Sequence, residues 1–373
     1  MIPFNKPVRL GTEESYLAQA IEVNGHVAGG GPFGKRCEAL LETLLGERAL
    51  LVTSATHALE MAALLLDLAP GDEFIVPSFT FVSTANAFVL RGARPVFADV
   101  DLDGNLVPEQ VEQLLTPRTR AVVPVHYAGN SCDLSALAAV CGAVPIVEDA
   151  AQALGARFDG RPLGTFGACA AISFHETKNV GCGEGGALIV GDERLIERAE
   201  HLRDKGTNRR QYQDGLVDKY TWVDLGSSYA LSDLNAAYLC SQLEQLDRIQ
   251  ARRKELHDRY ARELRGAIER AGAHCIQGSA RVEGNQHLFA IVFREPSQRS
   301  RCIAFLRERE IVAPFHYVAL HQSPMGKRFH DGRALPVSDR LTGSLLRLPL
   351  FFNLTDAEQE KVILLVREFL GAC

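Results

Sequence analysis

From residue 45 onward, short apolar runs alternate with segments whose apolar residues recur at helical spacing, and this alternation limits the fold more than any other feature of the chain. Runs at 49–52, 74–76, 95–98, 121–125, 144–147, 169–174 and 187–190 read as strands, with helical patterns at 56–68, 83–90, 108–115 and 134–141 between them. A strand that is apolar along its whole length is buried on both faces, and the intervening helices supply the cover. A mostly parallel sheet within one α/β domain is therefore predicted, with Gly71-Asp72 and Gly92-Ala93 marking turns. Near residue 235 the character changes. The spacing predicts one long amphipathic helix over 234–264, then a strand at 288–293 and helices at 300–310 and 356–370. The expected organisation is a large α/β domain over 1–245, including the N-terminal segment, and a smaller α+β domain over 246–373. A length of 373 residues accommodates both.

Charge and cysteine content narrow the function classes. Forty Lys and Arg stand against 46 Asp and Glu, a net charge of −6, so no basic excess serves a polyanion and a nucleic-acid partner is not expected. No apolar run reaches the roughly 18 residues of a membrane span. Residues 1–10 hold two prolines and no apolar core of a signal peptide. The nine cysteines are odd in number and form no C-x-x-C pair, so buried reduced thiols are expected, without a metal site, in a cytoplasmic protein.

One motif is a decoy. Gly29-Gly30-Gly31-Pro32-Phe33-Gly34 satisfies G-x-G-x-x-G, but a dinucleotide site needs a strand before the glycines, and 14–23 reads as a helix. A glycine-rich turn leading into a helix over 36–45 is expected, and a nicotinamide oxidoreductase is set aside.

The chemistry lies at the predicted strand ends. Lys178 follows the strand at 169–174 and precedes a loop containing Gly181, Gly183, Gly185 and Gly186, where a lysine could form a Schiff base with an aldehyde cofactor. Asp149 ends the strand at 144–147, where a side chain points into a ligand crevice. A carboxylate there could hold the ring nitrogen of pyridoxal phosphate protonated, with Gln152 as a donor to the ring hydroxyl. Thr53-Ser54-Ala55-Thr56 opens a helix, offering N–H groups and hydroxyls to a phosphate, and Ser173 could add another. Phe81 follows the strand at 74–76 and suits stacking on a flat ring. Each residue alone has an ordinary reading: a solvated lysine, an N-cap aspartate, a helix cap, a core phenylalanine. Their agreement at one edge of one sheet argues for a pyridoxal phosphate site.

The blocks GDEFIVPSFTFVSTANAFVLRGARPVFADVD (71–101), PVHYAG (124–129), VEDAAQA (147–153), SFHETKN (173–179) and KYTWVDLGSSY (219–229) resemble the DegT-type nucleotide-sugar aminotransferases, a family of fold-type I pyridoxal phosphate enzymes. The resemblance runs essentially end to end. It implies that Lys178 carries the Schiff base and acts as the catalytic base. It further implies that Asp149 pairs with the ring nitrogen, Gln152 faces the ring hydroxyl, Phe81 stacks, and Ala55, Thr56 and Ser173 bind the phosphate. Many family members complete the phosphate site with an asparagine from a second subunit, in a G-x-N-x-R pattern. Here Ser228 occupies that position and the arginine is absent, which implies a homodimer whose shared site uses a serine. His316 and Tyr317 open a stretch resembling one that borders the sugar. The implied reaction is a two-stage transamination with L-glutamate as donor, passing through pyridoxamine phosphate. The acceptor would be a dTDP-4-keto-6-deoxyhexose aminated at C4, giving dTDP-4-amino-4,6-dideoxygalactose for surface polysaccharide. Alternatives are the gluco epimer, amination at C3, and a non-catalytic regulatory relative. Sugar dehydration within the family is disfavoured by the presence of Lys178.

Overall fold

A computed structural model describes residues 1–371; Cys373 lies outside the described residues. The strands in chain order are β1 (Arg48–Val52), β2 (Glu73–Pro77), β3 (Arg94–Ala98), β4 (Thr119–Val122) and β5 (Val147–Asp149). A short hairpin, β6 (Arg157–Phe158) and β7 (Arg161–Pro162), precedes β8 (Cys169–Ser173) and β9 (Gly186–Val190). Two ladders, β3-β2-β4 and β5-β8-β9-β1, are joined by parallel bridges at Val122–Ile146 and Val125–Asp149. The layer is therefore β3-β2-β4-β5-β8-β9-β1, and only β9 runs against its neighbours. This is the mostly parallel mixed sheet expected from the sequence.

The residues of these strands divide strictly between two cores. Ala49, Leu51, Ile75, Ala98, Val122, Ile172 and Ile189 face one cluster, while Leu50, Val52, Phe74, Val76, Phe97, Ala121, Ala171 and Leu188 face the other. Successive side chains alternate across a strand, so burial on both faces demands the uninterrupted apolar runs seen in the sequence. The helix Ala55–Leu65 covers the second face; Pro32–Leu45 and Asp233–Leu243 cover the first. Pro32 opens its helix at the first position, where its missing N–H costs nothing, and the glycine decoy is a turn into that helix.

Two expectations need correction. The strand expected at 144–147 begins only at Val147, because Pro145 has no N–H to donate and contributes just its carbonyl, to Val122 N at 3.0 Å. The single helix expected over 234–264 is two, Asp233–Leu243 and Leu246–Arg270, separated by Glu244 and Gln245, the latter at φ −116°, ψ 22°. The first helix buries Ala236, Leu239 and Cys240 on the sheet, and the second buries Leu256, Tyr260, Leu264 and Ile268 in a separate cluster. The second helix touches both cores, because its first turn also sends Leu246 and Ile249 into the cluster of the large sheet. The apolar spacing crosses the break because apolar residues recur at helical intervals in both pieces, the first buried nearly all round and the second amphipathic.

That separate cluster belongs to a second sheet. Of β10 (His274–Cys275), β11 (Val282–Glu283), β12 (Phe289–Val292) and β13 (Leu345–Leu348), three form the antiparallel order β10-β12-β13, while β11 pairs with β6. The helices Leu246–Arg270, Pro296–Glu308 and Asp356–Gly371 pack on this sheet. Cys37, Cys132, Cys141, Cys169, Cys182 and Cys240 are buried, unpaired thiols. Among the described residues no helix is long and apolar enough to cross a membrane, and no group of His, Cys, Asp and Glu is arranged to hold a metal.

Candidate active site

At the carboxyl ends of β2, β5 and β8 lies a cavity of about 650 Å³. Ala55, Thr56, Phe81, Asp149, Gln152, Ser173, Lys178, His316 and Tyr317 all line it. Ser228 does not: it is exposed and bridges to Asp204.

The strand period selects which of two adjacent acids enters the cavity. Asp149 Oδ2 accepts from Thr84 Oγ1 at 2.7 Å and Oδ1 from Ala151 N at 3.2 Å. Glu148 points to the opposite face, fully buried, and accepts from His126 Nε2 at 2.7 Å and from the N–H groups of Gly164, Phe166 and Gly167 at 2.6–2.8 Å. Each carboxylate is satisfied by hydrogen bonds, as burial requires. Thr84 in turn meets Thr80 Oγ1 at 2.9 Å.

Lys178 sits in the connection from β8 to β9. Its N–H donates to His175 O at 2.9 Å, and Cys182 N returns to Phe174 O at 2.8 Å, which curls the loop back over the strand end. Burial lowers the Lys178 pKa to about 8, with the Asp149 charge opposing the shift and the Arg347 cation adding to it. The glycines here serve close approach. A Cβ on Gly186 would lie 2.4 Å from Ala55 N and from Ser54 C. The start of the helix Ala55–Leu65 is thereby pressed against β9, beside the lysine loop.

Ser54 caps that helix, its Oγ accepting from His57 N at 3.1 Å, and Thr56 Oγ1 donates to Ser83 Oγ at 2.8 Å. The N–H groups of Ala55 and Thr56 have no partner among the described residues, as helix geometry dictates for a first turn. Phe81, 55% exposed, precedes the helix Val82–Val89 with its ring centre 6.2 Å from that of Tyr317. Gln152 accepts from Ala128 N at 2.8 Å and donates through Nε2 to Tyr317 OH at 3.1 Å, which leaves one amide hydrogen for a ligand. His316 stacks on Tyr317 at 3.9 Å between ring centres, and its Nδ1 lies 3.0 Å from Tyr127 OH. Burial, reinforced by Arg347 and Lys178, holds His316 well below the usual imidazole range.

Four lining or supporting residues escaped the sequence reading. Thr84, the donor to Asp149, lies three positions past Phe81 on a helix read only for its apolar face. His287 comes from the segment before β12. Arg347, from β13, places its guanidinium 4.2 Å from the Phe4 ring centre and donates to Phe315 O at 3.1 Å. A lone charge inside LLRLPL was its available signal. Asn5 donates to Glu176 O at 3.1 Å, tying the N-terminal segment to the lysine loop.

This layer order, with a lysine and a carboxylate at neighbouring strand ends, is the fold of the pyridoxal-phosphate-dependent aminotransferases. Residues 9–367 match the DegT/DnrJ/EryC1/StrS aminotransferase family, and the chain belongs to it. Among solved structures it is similar to the aminotransferase TlmJ from Streptoalloteichus hindustanus, at 33% identity and TM-score 0.91, covering 100% of this chain and 99% of that one. It is also similar to S. venezuelae DesV, solved in complex with a ketimine intermediate, at 32% identity and TM-score 0.89 over 99% and 98% of the two chains. Spr1654 from Streptococcus pneumoniae, solved in a PLP form, matches at 25% identity and TM-score 0.90 over 100% and 99%.

Proposed function

We propose that this chain is a pyridoxal-phosphate-dependent sugar aminotransferase that moves the amino group of L-glutamate to C4 of a dTDP-4-keto-6-deoxyhexose, giving dTDP-4-amino-4,6-dideoxygalactose for surface polysaccharide. The observation that carries the reading is the convergence of Lys178 and Asp149, from the neighbouring strands β8 and β5, on one cavity. The residues fit the cofactor. Two unclaimed N–H groups and the hydroxyls of Ser54, Thr56 and Ser83 suit a phosphate. Asp149 suits a pyridinium N–H, and the exposed face of Phe81 suits a flat ring. Bound pyridoxal phosphate would supply an aldehyde for imine formation and an electron-withdrawing ring.

The protein's own groups do the rest. A lysine with a pKa of about 8 carries an appreciable free-amine fraction near neutrality, so its Nζ can take up one proton from the donor Cα and hand it back. Asp149 supplies the fixed negative charge, held by Thr84. His316 and Tyr317 border the space left for the sugar. Support for the sugar class comes from the family, and for the C4 galacto product from the likeness of the blocks at 71–101 and 219–229.

We assign 1–245 to the cofactor-holding unit and 246–373 to the unit that closes the cavity with His287, His316, Tyr317 and Arg347. The working form is a cytoplasmic homodimer in which Ser228 of a second copy completes each phosphate site. In favour of an interface, Tyr212, Leu216, Tyr220, Trp222, Val223 and Leu225 are 46–76% exposed on the segment leading to Ser228.

The test incubates enzyme, L-glutamate and dTDP-4-keto-6-deoxyglucose and reads the product by NMR. An axial C4 amine is expected. A C3 amine refutes the regiochemistry, an equatorial C4 amine refutes the galacto assignment, and a colourless protein that takes up no pyridoxal phosphate refutes the enzyme class.

A further inference from the structure

The segment Asn285-Gln286-His287 reaches from beside the second sheet into the crevice and touches the lysine loop. Asn285 Nδ2 donates to the carbonyls of Gln152 at 2.8 Å and Leu154 at 3.0 Å, pinning the turn after β5. Gln286 follows at φ +49°, a left-handed conformation that costs a non-glycine residue about 1 kcal/mol or more. Buried Arg253 holds this turn. Its guanidinium donates to the carbonyls of Gln286 at 3.3 Å, Leu350 at 3.2 Å and His287, and it forms no ion pair among the described residues. Strain and a buried, unpaired cation are both unfavourable, and both fall on the turn that carries His287.

The orientation of that ring is determined by a chain of hydrogen bonds. Asn179 Nδ2 donates to Asn285 O at 2.9 Å, which turns Asn179 Oδ1 toward His287 Nδ1, also 2.9 Å away. An amide oxygen only accepts, so His287 Nδ1 carries the hydrogen. Burial among Lys178, Arg253, His316 and Arg347 holds the imidazole well below its usual pKa, so the ring is neutral and Nε2 is a bare acceptor. No group among the described residues bonds to Nε2. The ring lines the main cavity and also a side chamber of about 10 Å³, room for roughly one water, whose wall it shares with Lys178 and Ser173.

We propose that His287 is a positioning residue for Lys178: one water in this chamber accepts from the lysine ammonium and donates to Nε2 whenever the lysine is free of the cofactor. The bridge rests on the reading of Lys178 as the cofactor lysine. It works with Asp149 and against burial and Arg347, favouring the charged form and fixing where Nζ waits between taking up a proton and returning it.

The experiment titrates Lys178 in the cofactor-free protein by pH-dependent acylation and peptide mass spectrometry. His287→Phe should lower the midpoint by about one unit from the wild-type value. His287→Gln, whose amide oxygen can accept, should recover most of that shift. An unmoved midpoint in folded His287→Phe overturns the proposal. If that variant fails to fold, a His287→Gln midpoint a full unit low does so, as does 15N NMR of the wild type locating the His287 hydrogen on Nε2 at neutral pH. Cofactor uptake is scored separately: wild type that binds no pyridoxal phosphate refutes the proposed function, whereas an unmoved midpoint refutes only the role of His287.

Discussion

Lys178 is the residue on which chemistry and stability pull in opposite directions. Its folded-state pKa, about 8, lies below the ordinary 10.5, so the folded protein binds fewer protons than the unfolded chain between those values. Stability without cofactor therefore rises with pH through that window, and below pH 8 the whole cost of the buried ammonium is felt. Lys178→Met should stabilise the cofactor-free protein at pH 7 by up to about 3 kcal/mol, with the gain fading as pH rises from about 8 to 10.5. Denaturant melts at pH 7 and 10.5 check it, and an equal effect at both contradicts the burial argument. The same substitution should cost at least about 10²-fold in turnover and abolish borohydride fixation of the cofactor. Thr84→Val tests the other half of the pair. It removes the donor to Asp149 Oδ2 at 2.7 Å and should destabilise the fold by about 1–3 kcal/mol, measured by chemical denaturation. Asp149 was legible because it ends a buried strand, and Lys178 because it follows one and precedes a run of glycines. Thr84, His287 and Arg347 were not. Their partners are far away in sequence, His287 meeting Asn179 across 108 positions, and no local pattern encodes such a pairing.

At the scale of elements, legibility followed the number of buried faces. The strands of the large sheet were read with ends within a few residues, because burial on both sides leaves only apolar side chains. The short strands β6, β7, β10 and β11 hold two residues each, and two residues carry no period. The break at Glu244–Gln245 was invisible for the opposite reason: apolar residues recur at helical spacing on both sides of the turn. The glycines at 181–186 were read as one loop after the lysine, whereas Gly186 is a packing glycine that opens β9. Gly186→Ala would drive a Cβ against the Ala55 and Ser54 main chain at 2.4 Å, and neither can retreat without moving the helix start. The expected result is a loss of about 1–3 kcal/mol in thermal melts, together with weakened cofactor retention, because the displaced N–H groups are the ones offered to the phosphate. Full retention of cofactor in a destabilised variant would separate the two effects and remove the helix start from the phosphate site.

For the molecule as a whole, the net charge of −6 is compatible with a doubly phosphorylated substrate, because phosphates are bound by a few placed donors. The larger issue is whether one chain holds a complete site. Ser228 is exposed and absent from its own chain's cavity, beside an apolar surface that includes Trp222 at 76% and Leu216 at 73% exposure. A two-fold dimer would bury this surface and carry each Ser228 to the other copy's phosphate cup, since an isologous interface repeats every contact. Complementation then has a definite outcome. Lys178→Ala and Ser228→Asp should each be inactive as homodimers, the first lacking its base and the second placing a carboxylate beside the phosphate. Hybrids made by co-expression with two tags, isolated on both, contain one doubly damaged site and one with native Lys178 and native Ser228. Such hybrids should recover about half of wild-type activity. If Ser228 served its own chain's site, each site of the hybrid would carry one lesion and activity would stay at the level of the parents.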